Sequence, residues 1–217
     1  DGRLPILAHV GTLRTEDAIH LASHARDAGA DAISMIPPYY YKFSGEEIGS
    51  YYKDIARAVP DMDILVYNIP QFTGIEFTKT NIAELFMESN IVGIKHTSKD
   101  LYSLERIHTA FPEKKIYNGF DEQFLASLSM GADGTIGTSV NICPDVFRTI
   151  KGLYLAGKME KALEYQQKLN ERIEVLSQCG IFNAVKYILT KKGIPCGRCR
   201  RPFRSLTPEQ KAILDQM

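Results

Sequence analysis

Short apolar runs alternate with longer amphipathic stretches from the start of the chain to Asn141, and the alternation predicts strand, loop and helix in steady repetition. Residues 4–11 read as a strand running into a Gly-Thr turn. Thr15 is the expected N-cap of the next helix, with Glu16 and Asp17 in its first turn, Ala18, Leu21, Ala22 and Ala25 on its apolar face, and an end near Gly29. Residues 32–38 form the next strand. A tyrosine cluster follows it, then a Ser44-capped helix with Tyr51, Tyr52, Ile55 and Val59 at helical spacing. Further strands are expected at 64–70, 91–98, 115–119 and 134–139. Helices should fill 78–87 and 101–111, and another, capped by Asp121, should run through Leu128.

After Asn141 the strand pattern stops and the chain is helical in pattern, with amphipathic runs at 158–179 and 183–191 and a last helix opened by Thr207-Pro208-Glu209. Alternating β and α elements argue for a parallel α/β sheet, either a (β/α)8 barrel or an open doubly wound sheet. No GxGxxG follows the first strand, which weighs against dinucleotide binding. About six β/α units can be counted where a barrel has eight. The expectation is therefore a (β/α)8 TIM barrel lacking its first two β/α units, with 1–141 as the barrel portion and 142–217 as helices packed on it in the same structural unit.

Composition narrows the partners. The 217 residues carry a formal net charge of +0, with 44% hydrophobic and 24% charged residues. Charges of both signs are interspersed along the amphipathic segments, so neither nucleic acid nor an anionic membrane is indicated as a partner. No apolar run is long enough to span a bilayer, and no leader pattern is seen, which leaves a cytoplasmic location as the expectation. Cys196 and Cys199 form a single CxxC. No second ligand pair accompanies it, so reduced thiols are expected there, as at Cys143 and Cys179, and no metal site.

The chemistry concentrates at strand ends. Ile91-Val92-Gly93-Ile94-Lys95-His96-Thr97-Ser98 delivers a lysine at the carboxyl end of an apolar strand. Such a lysine either snorkels to water, pairs with a carboxylate, or serves as a desolvated amine that attacks a ketone and forms a Schiff base. One β/α unit earlier, Ile64-Leu65-Val66-Tyr67-Asn68-Ile69-Pro70 ends near Tyr67, which is either an amphipathic core tyrosine or a proton-handling group at the same mouth. Lys99 and Lys114 sit in polar contexts and read as solvated.

Tyr67-Asn68-Ile69-Pro70, Gly93-Ile94-Lys95-His96-Thr97-Ser98, Tyr117-Asn118-Gly119-Phe120-Asp121-Glu122 and Gly131-Ala132-Asp133-Gly134 together resemble the pyruvate-dependent class I aldolase family, which includes N-acetylneuraminate lyases and dihydrodipicolinate synthases. The resemblance extends from Ala8-His9-Val10-Gly11-Thr12 to Cys199-Arg200-Arg201-Pro202-Phe203. It implies that Lys95 is the Schiff-base lysine and that Tyr67 handles protons. Gly119, Asp121 and Glu122 match positions that hold the glycerol-like hydroxyls of a sialic acid, Thr138 matches a hydroxyl of that set, and Thr97 belongs with the substrate-binding residues. Read without the resemblance, Asp121 and Glu122 are equally N-cap and first-turn acids.

Tyr40 matches a tyrosine donated across a subunit interface, which implies a homo-oligomer, a tetramer in this family. The implied substrates are small molecules, sialic acid and pyruvate, with no metal or organic cofactor. Gln71-Phe72-Thr73-Gly74 replaces the arginine expected of a synthase after the YNxP motif, which favours the lyase side. The Gly-Thr-Thr-Gly-Glu type loop that binds the pyruvate carboxylate in the family has no counterpart here. Two alternatives remain beside a sialic acid lyase. One is another 2-keto acid aldolase or a dihydrodipicolinate synthase-like enzyme; the other is an inactive barrel remnant acting as a binding module.

Overall fold

A computed structural model describes residues 2–217. The apolar runs form strands β1 (Leu7–His9), β2 (Ala32–Met35), β3 (Asp63–Asn68), β4 (Ile91–His96), β5 (Lys115–Asn118) and β6 (Gly134–Thr135). They lie in one six-stranded sheet in chain order, and the pairings from β1 through β5 are parallel. Helices α1 (Thr15–Asp27), α2 (Gly45–Ala58), α3 (Pro70–Thr73), α4 (Lys79–Phe86) and α5 (Leu101–Ala110) connect the first five strands. Short connections between neighbouring parallel strands leave little choice but this sequential order.

The chain divides into two compact units. The first runs to Gly119 and takes in Met130–Gly134; the second comprises Phe120–Ser129 and Thr135–Met217.

In the first unit the period of two sorts side chains by face. Ile33, Met35, Ile64, Val66, Ile94 and Ile116 point to the helices and are fully buried with Ala18 and Ala22 of α1, Tyr52 and Ile55 of α2, Ile82 and Leu85 of α4, and Leu104 and Ile107 of α5. Each such isoleucine contributes about 1.5–3 kcal/mol by leaving water. The alternate positions, His9, Ser34, Leu65, Tyr67, Gly93, Lys95 and Tyr117, fall on the opposite face. That alternation gives the sheet one greasy face and one chemical face.

Second-unit packing is helix on helix. α6 (Phe124–Ser129), α7 (Pro144–Leu155) and α8 (Met159–Gln178) bury Phe124, Leu128, Phe147, Ile150, Ala162 and Leu169. Leu176 and Cys179 close against Ala184 of α9 (Ile181–Lys191) and Leu214 of α10 (Pro208–Leu214).

Local chemistry explains where the elements begin. Ser44 accepts from the Glu47 amide while the Glu47 carboxylate accepts from the Ser44 amide, a closed capping box that starts α2. Thr207 and Gln210 do the same for α10. Other expectations change. Arg14, not Thr15, is the N-cap of α1 and offers no side-chain cap. Leu21 is 39% exposed, and the buried positions of α1 are Ala18, Ala22 and Ala25. Asp121 opens a short 3₁₀ turn (Asp121–Gln123) ahead of α6 and does not cap a helix. The strand expected over 134–139 shortens to β6, since Ser139 turns away into a 3₁₀ turn (Ser139–Asn141) held by Asp121.

Candidate active site

Parallel register places Tyr67 of β3 directly beside Lys95 of β4, and Lys95 beside Tyr117 of β5. The Lys95 Nζ sits 3.9 Å from the centroid of the Tyr67 ring, within cation–π range. Both side chains are half-buried. Among the described residues no carboxylate pairs with Lys95, whereas Lys53, Lys115 and Lys191 each find one. Of the roles open to a strand-end lysine, the carboxylate-paired one is therefore set aside. What remains is an amine against an aromatic face, at the carboxyl edge of the sheet.

The strand ends carrying these groups are clamped from the helical side. The fully buried Asn68 amide Nδ2 donates to His96 Nδ1 at 3.1 Å and to Glu76 at 3.2 Å, while its Oδ1 accepts from the Phe77 amide. His96 Nε2 then donates to the Asp100 carbonyl at 3.0 Å. Burial lowers the His96 pKa, so the neutral ring with one donor and one acceptor is the form that fits.

Two hydroxyls on the chemical face have no hydrogen-bond partner although both are buried: Ser34 Oγ and Thr97 Oγ1. A buried unsatisfied hydroxyl costs free energy unless a ligand or water meets it. Thr97 follows Lys95 by two residues, and its amide is fixed by the Asn68 carbonyl at 2.8 Å. Gly119 lies against it so closely that a Cβ there would sit 1.7 Å from Thr97 Oγ1. Gly119 is thus a glycine for space, and it leaves the threonine hydroxyl its place.

Asp121, Glu122 and Thr138 belong to the second unit. The buried Asp121 carboxylate accepts from the Ser139 amide at 2.8 Å, from the Ser139 hydroxyl at 2.7 Å and from Thr135 at 3.4 Å. Gly137 makes room for it, since a Cβ would fall 1.6 Å from Asp121 Oδ1. The Glu122 side chain is exposed, and Thr138 is half-buried one residue from Ser139. Gln166 ties this turn down by donating to the Asp121 carbonyl and accepting from the Leu125 amide.

Tyr40 is 85% exposed and is the one non-glycine residue among those described with a positive φ, at 82°. A tyrosine in that region costs of order 1–3 kcal/mol, held here in a row of edge-to-face contacts, Tyr40 with Tyr41 and Tyr41 with Phe43.

His9 joins the Lys95 group without having been marked by sequence reasoning. Its ring meets Tyr67 edge to face with centroids 6.1 Å apart. Desolvation first, and the Lys95 charge second, lower its pKa. The signal was present: His9 also ends an apolar strand, the same placement that marks Lys95 and Tyr67.

Two readings of the cations need correction. Lys114 is not simply solvated, because its ammonium donates to the Ile91 carbonyl at 2.7 Å over the Phe86 ring. Interspersion of charge also fails late in the chain. No acid falls between Glu174 and Glu209, and Lys186, Arg198 and Lys211 line a groove of about 230 Å³ in the second unit. Cys143, Cys179, Cys196 and Cys199 are free thiols, and the described residues contain no cluster of side chains suited to holding a metal ion. No helix among them is long and apolar enough to cross a membrane.

With this geometry in place, comparison with known proteins is informative. The family model described as "Dihydrodipicolinate synthetase family" matches residues 1–217. An N-acetylneuraminate lyase of Rhizobium meliloti (strain 1021) is 43% identical over 213 residues, which cover 98% of this chain and 71% of that protein. The crystal structure of CdNal from Clostridium difficile in complex with mannosamine superimposes with a TM-score of 0.96 at 36% identity, over 99% of this chain and 74% of that one. A catalytic lysine mutant of the Ruminococcus gnavus sialic acid aldolase superimposes with a TM-score of 0.95 at 32% identity, over 99% and 72%. The parallel sheet with a lysine and a tyrosine in register at its carboxyl edge, the match of the family model over residues 1–217 and these likenesses agree, and the chain belongs to the dihydrodipicolinate synthetase family.

Proposed function

We propose that the protein is a Schiff-base aldolase, a carbon–carbon lyase that cleaves N-acetylneuraminate to N-acetylmannosamine and pyruvate. The observation that carries this reading is the register pair Tyr67–Lys95, an amine without a carboxylate partner lying 3.9 Å from a phenol ring. Lys95 attacks the C2 ketone of the open-chain sugar and loses water to give an iminium. Tyr67 assists removal of the C4 hydroxyl proton, passing its own phenol proton on as it accepts that one, as the C3–C4 bond breaks, and the bonding pair moves into the iminium to leave an enamine. N-acetylmannosamine departs as the aldehyde. Protonation of the enamine at C3 through the Tyr67 hydroxyl, followed by hydrolysis, releases pyruvate and restores the amine.

Thr97, with its unpaired buried hydroxyl, and Gly119 serve the substrate near Lys95. Asp121, Glu122 and Thr138 bind the polyol tail, with Glu122 exposed and free to accept hydroxyls while Asp121 shapes the turn. Tyr40 reaches a neighbouring copy's site in a cytoplasmic homotetramer, a role its exposure and strained backbone suit. No metal or organic cofactor enters this chemistry. The six strands are part of a (β/α)8 barrel, and the relatives' greater length leaves room for the remainder.

Incubation with pyruvate and borohydride, followed by intact mass and peptide mapping, tests the reading directly. One reduced adduct on Lys95 is expected. An unmodified protein, or an adduct on another lysine, would overturn the assignment.

A further inference from the structure

His9 has no part in the steps above, yet it completes a row of three side chains. The imidazole of β1 stands edge-on to the Tyr67 ring of β3, with an interplanar angle of 85°, and that ring in turn meets the Lys95 ammonium of β4. His9 Nε2 accepts from the Ile36 amide at 3.4 Å. A nitrogen that accepts has no proton of its own, so the neutral ring carries its hydrogen on Nδ1. The turn after β1 leaves room for this arrangement only because residue 11 is glycine: a Cβ there would lie 2.9 Å from the Ile36 nitrogen and 3.1 Å from His9 Cε1.

We propose that His9 is a positioning residue for the imine chemistry, a neutral imidazole hung from the Ile36 amide that braces the Tyr67 ring so that its hydroxyl stays aligned with whatever is bound to Lys95. The inference rests on the Schiff-base reading. The groups facing His9 are few: Lys95 from β4, the Tyr67 phenol from β3, the Ser34 hydroxyl of β2, its register partner, and the Ile36 amide just after β2. Lys95 is the one charged group among them. Protonation of His9 removes the acceptor that Ile36 needs and sets a second cation beside Lys95. The brace is therefore present at neutral pH and lost on acidification. A displaced Tyr67 ring lowers the rate of proton transfer while leaving the amine free to form the imine.

Two assays on the same protein separate these effects: borohydride trapping of pyruvate, which reads imine formation, and exchange of the pyruvate methyl hydrogens for deuterium, which reads proton transfer through the enamine. His9→Gln keeps an acceptor for Ile36 and loses the ring; His9→Phe keeps the ring edge and loses the acceptor. Both should trap pyruvate as the parent does. Exchange should fall on the order of ten- to a hundredfold in His9→Gln, the scale of a misplaced group. Partial recovery is expected in His9→Phe. The loss of exchange that the parent shows as pH falls below 6.5 should move to lower pH in both variants.

If the parent traps no pyruvate, the Schiff-base reading falls and the role of His9 with it. If the parent traps and exchanges and His9→Gln matches it in rate and pH profile, the role of His9 alone is overturned. Should His9→Gln fail to fold, an unmoved acid limb in His9→Phe overturns it equally.

Discussion

In the proposed mechanism Lys95 and Tyr67 divide the chemistry between them, so their variants should fail differently. Lys95→Arg keeps a cation over the Tyr67 ring and should fold, but guanidinium stays protonated and forms no imine. Borohydride trapping should vanish in that variant with the circular dichroism spectrum unchanged. Tyr67→Phe keeps the ring that the lysine and His9 both touch; trapping should persist while sialic acid cleavage drops about 10²–10⁴-fold. Cleavage at the parent rate would remove Tyr67 from proton transfer. Asp121 and Glu122 are adjacent yet differ as sharply. Asp121→Ala leaves the buried Ser139 donors without an acceptor and should cost about 1–3 kcal/mol in denaturant unfolding. Glu122→Ala, at an exposed position, should leave that midpoint unmoved and weaken cleavage of sialic acid far more than pyruvate trapping. Equal losses in the two assays would move Glu122 out of recognition.

At the scale of elements, β3 and β4 owe their alignment to the clamp of Asn68 and His96 as well as to the backbone ladder. The clamp has a pH signature. The folded pKa of His96 lies below 6.5, so below that pH the unfolded chain binds more protons, and stability rises with pH through this window. The contribution is fully present above pH 6.5 and is lost as pH falls towards the folded pKa. His9 adds to the same slope, since its pKa is lowered too. Urea unfolding from pH 7.5 to 5 should show declining stability for the parent and a shallower decline for His96→Gln; parallel slopes would mean that the clamp does not titrate there. The alternation of strand and helix was legible in the sequence, because each apolar run with β-branched residues is followed by an amphipathic helix. The early end of the last strand was not, since it arises from a contact outside its own window, the hold of Asp121 on Ser139.

For the whole molecule, β1 is an edge strand with exposed apolar neighbours: Leu4 is 80% exposed, and Ile6 and Leu7 are also open. An uncovered edge of this kind invites pairing with another chain. The 217-residue chain in isolation should therefore self-associate, and light scattering should report a species larger than a monomer. A monodisperse monomer with full lyase turnover would count against both the open edge and the proposed eight-stranded barrel. The sequence by itself determined the α/β alternation, the six strands, the buried isoleucines and the strand-end positions of Lys95 and Tyr67, because periodicity and composition act within a few residues. Only the tertiary structure decided that His9 stands against Tyr67, that Thr97 and Ser34 are left without partners, that Gly119 yields to a threonine hydroxyl, and that Asp121 holds a turn instead of capping a helix. Each of those facts depends on residues distant in sequence meeting at bonding distance, and no local pattern encodes which of many polar side chains will find one another.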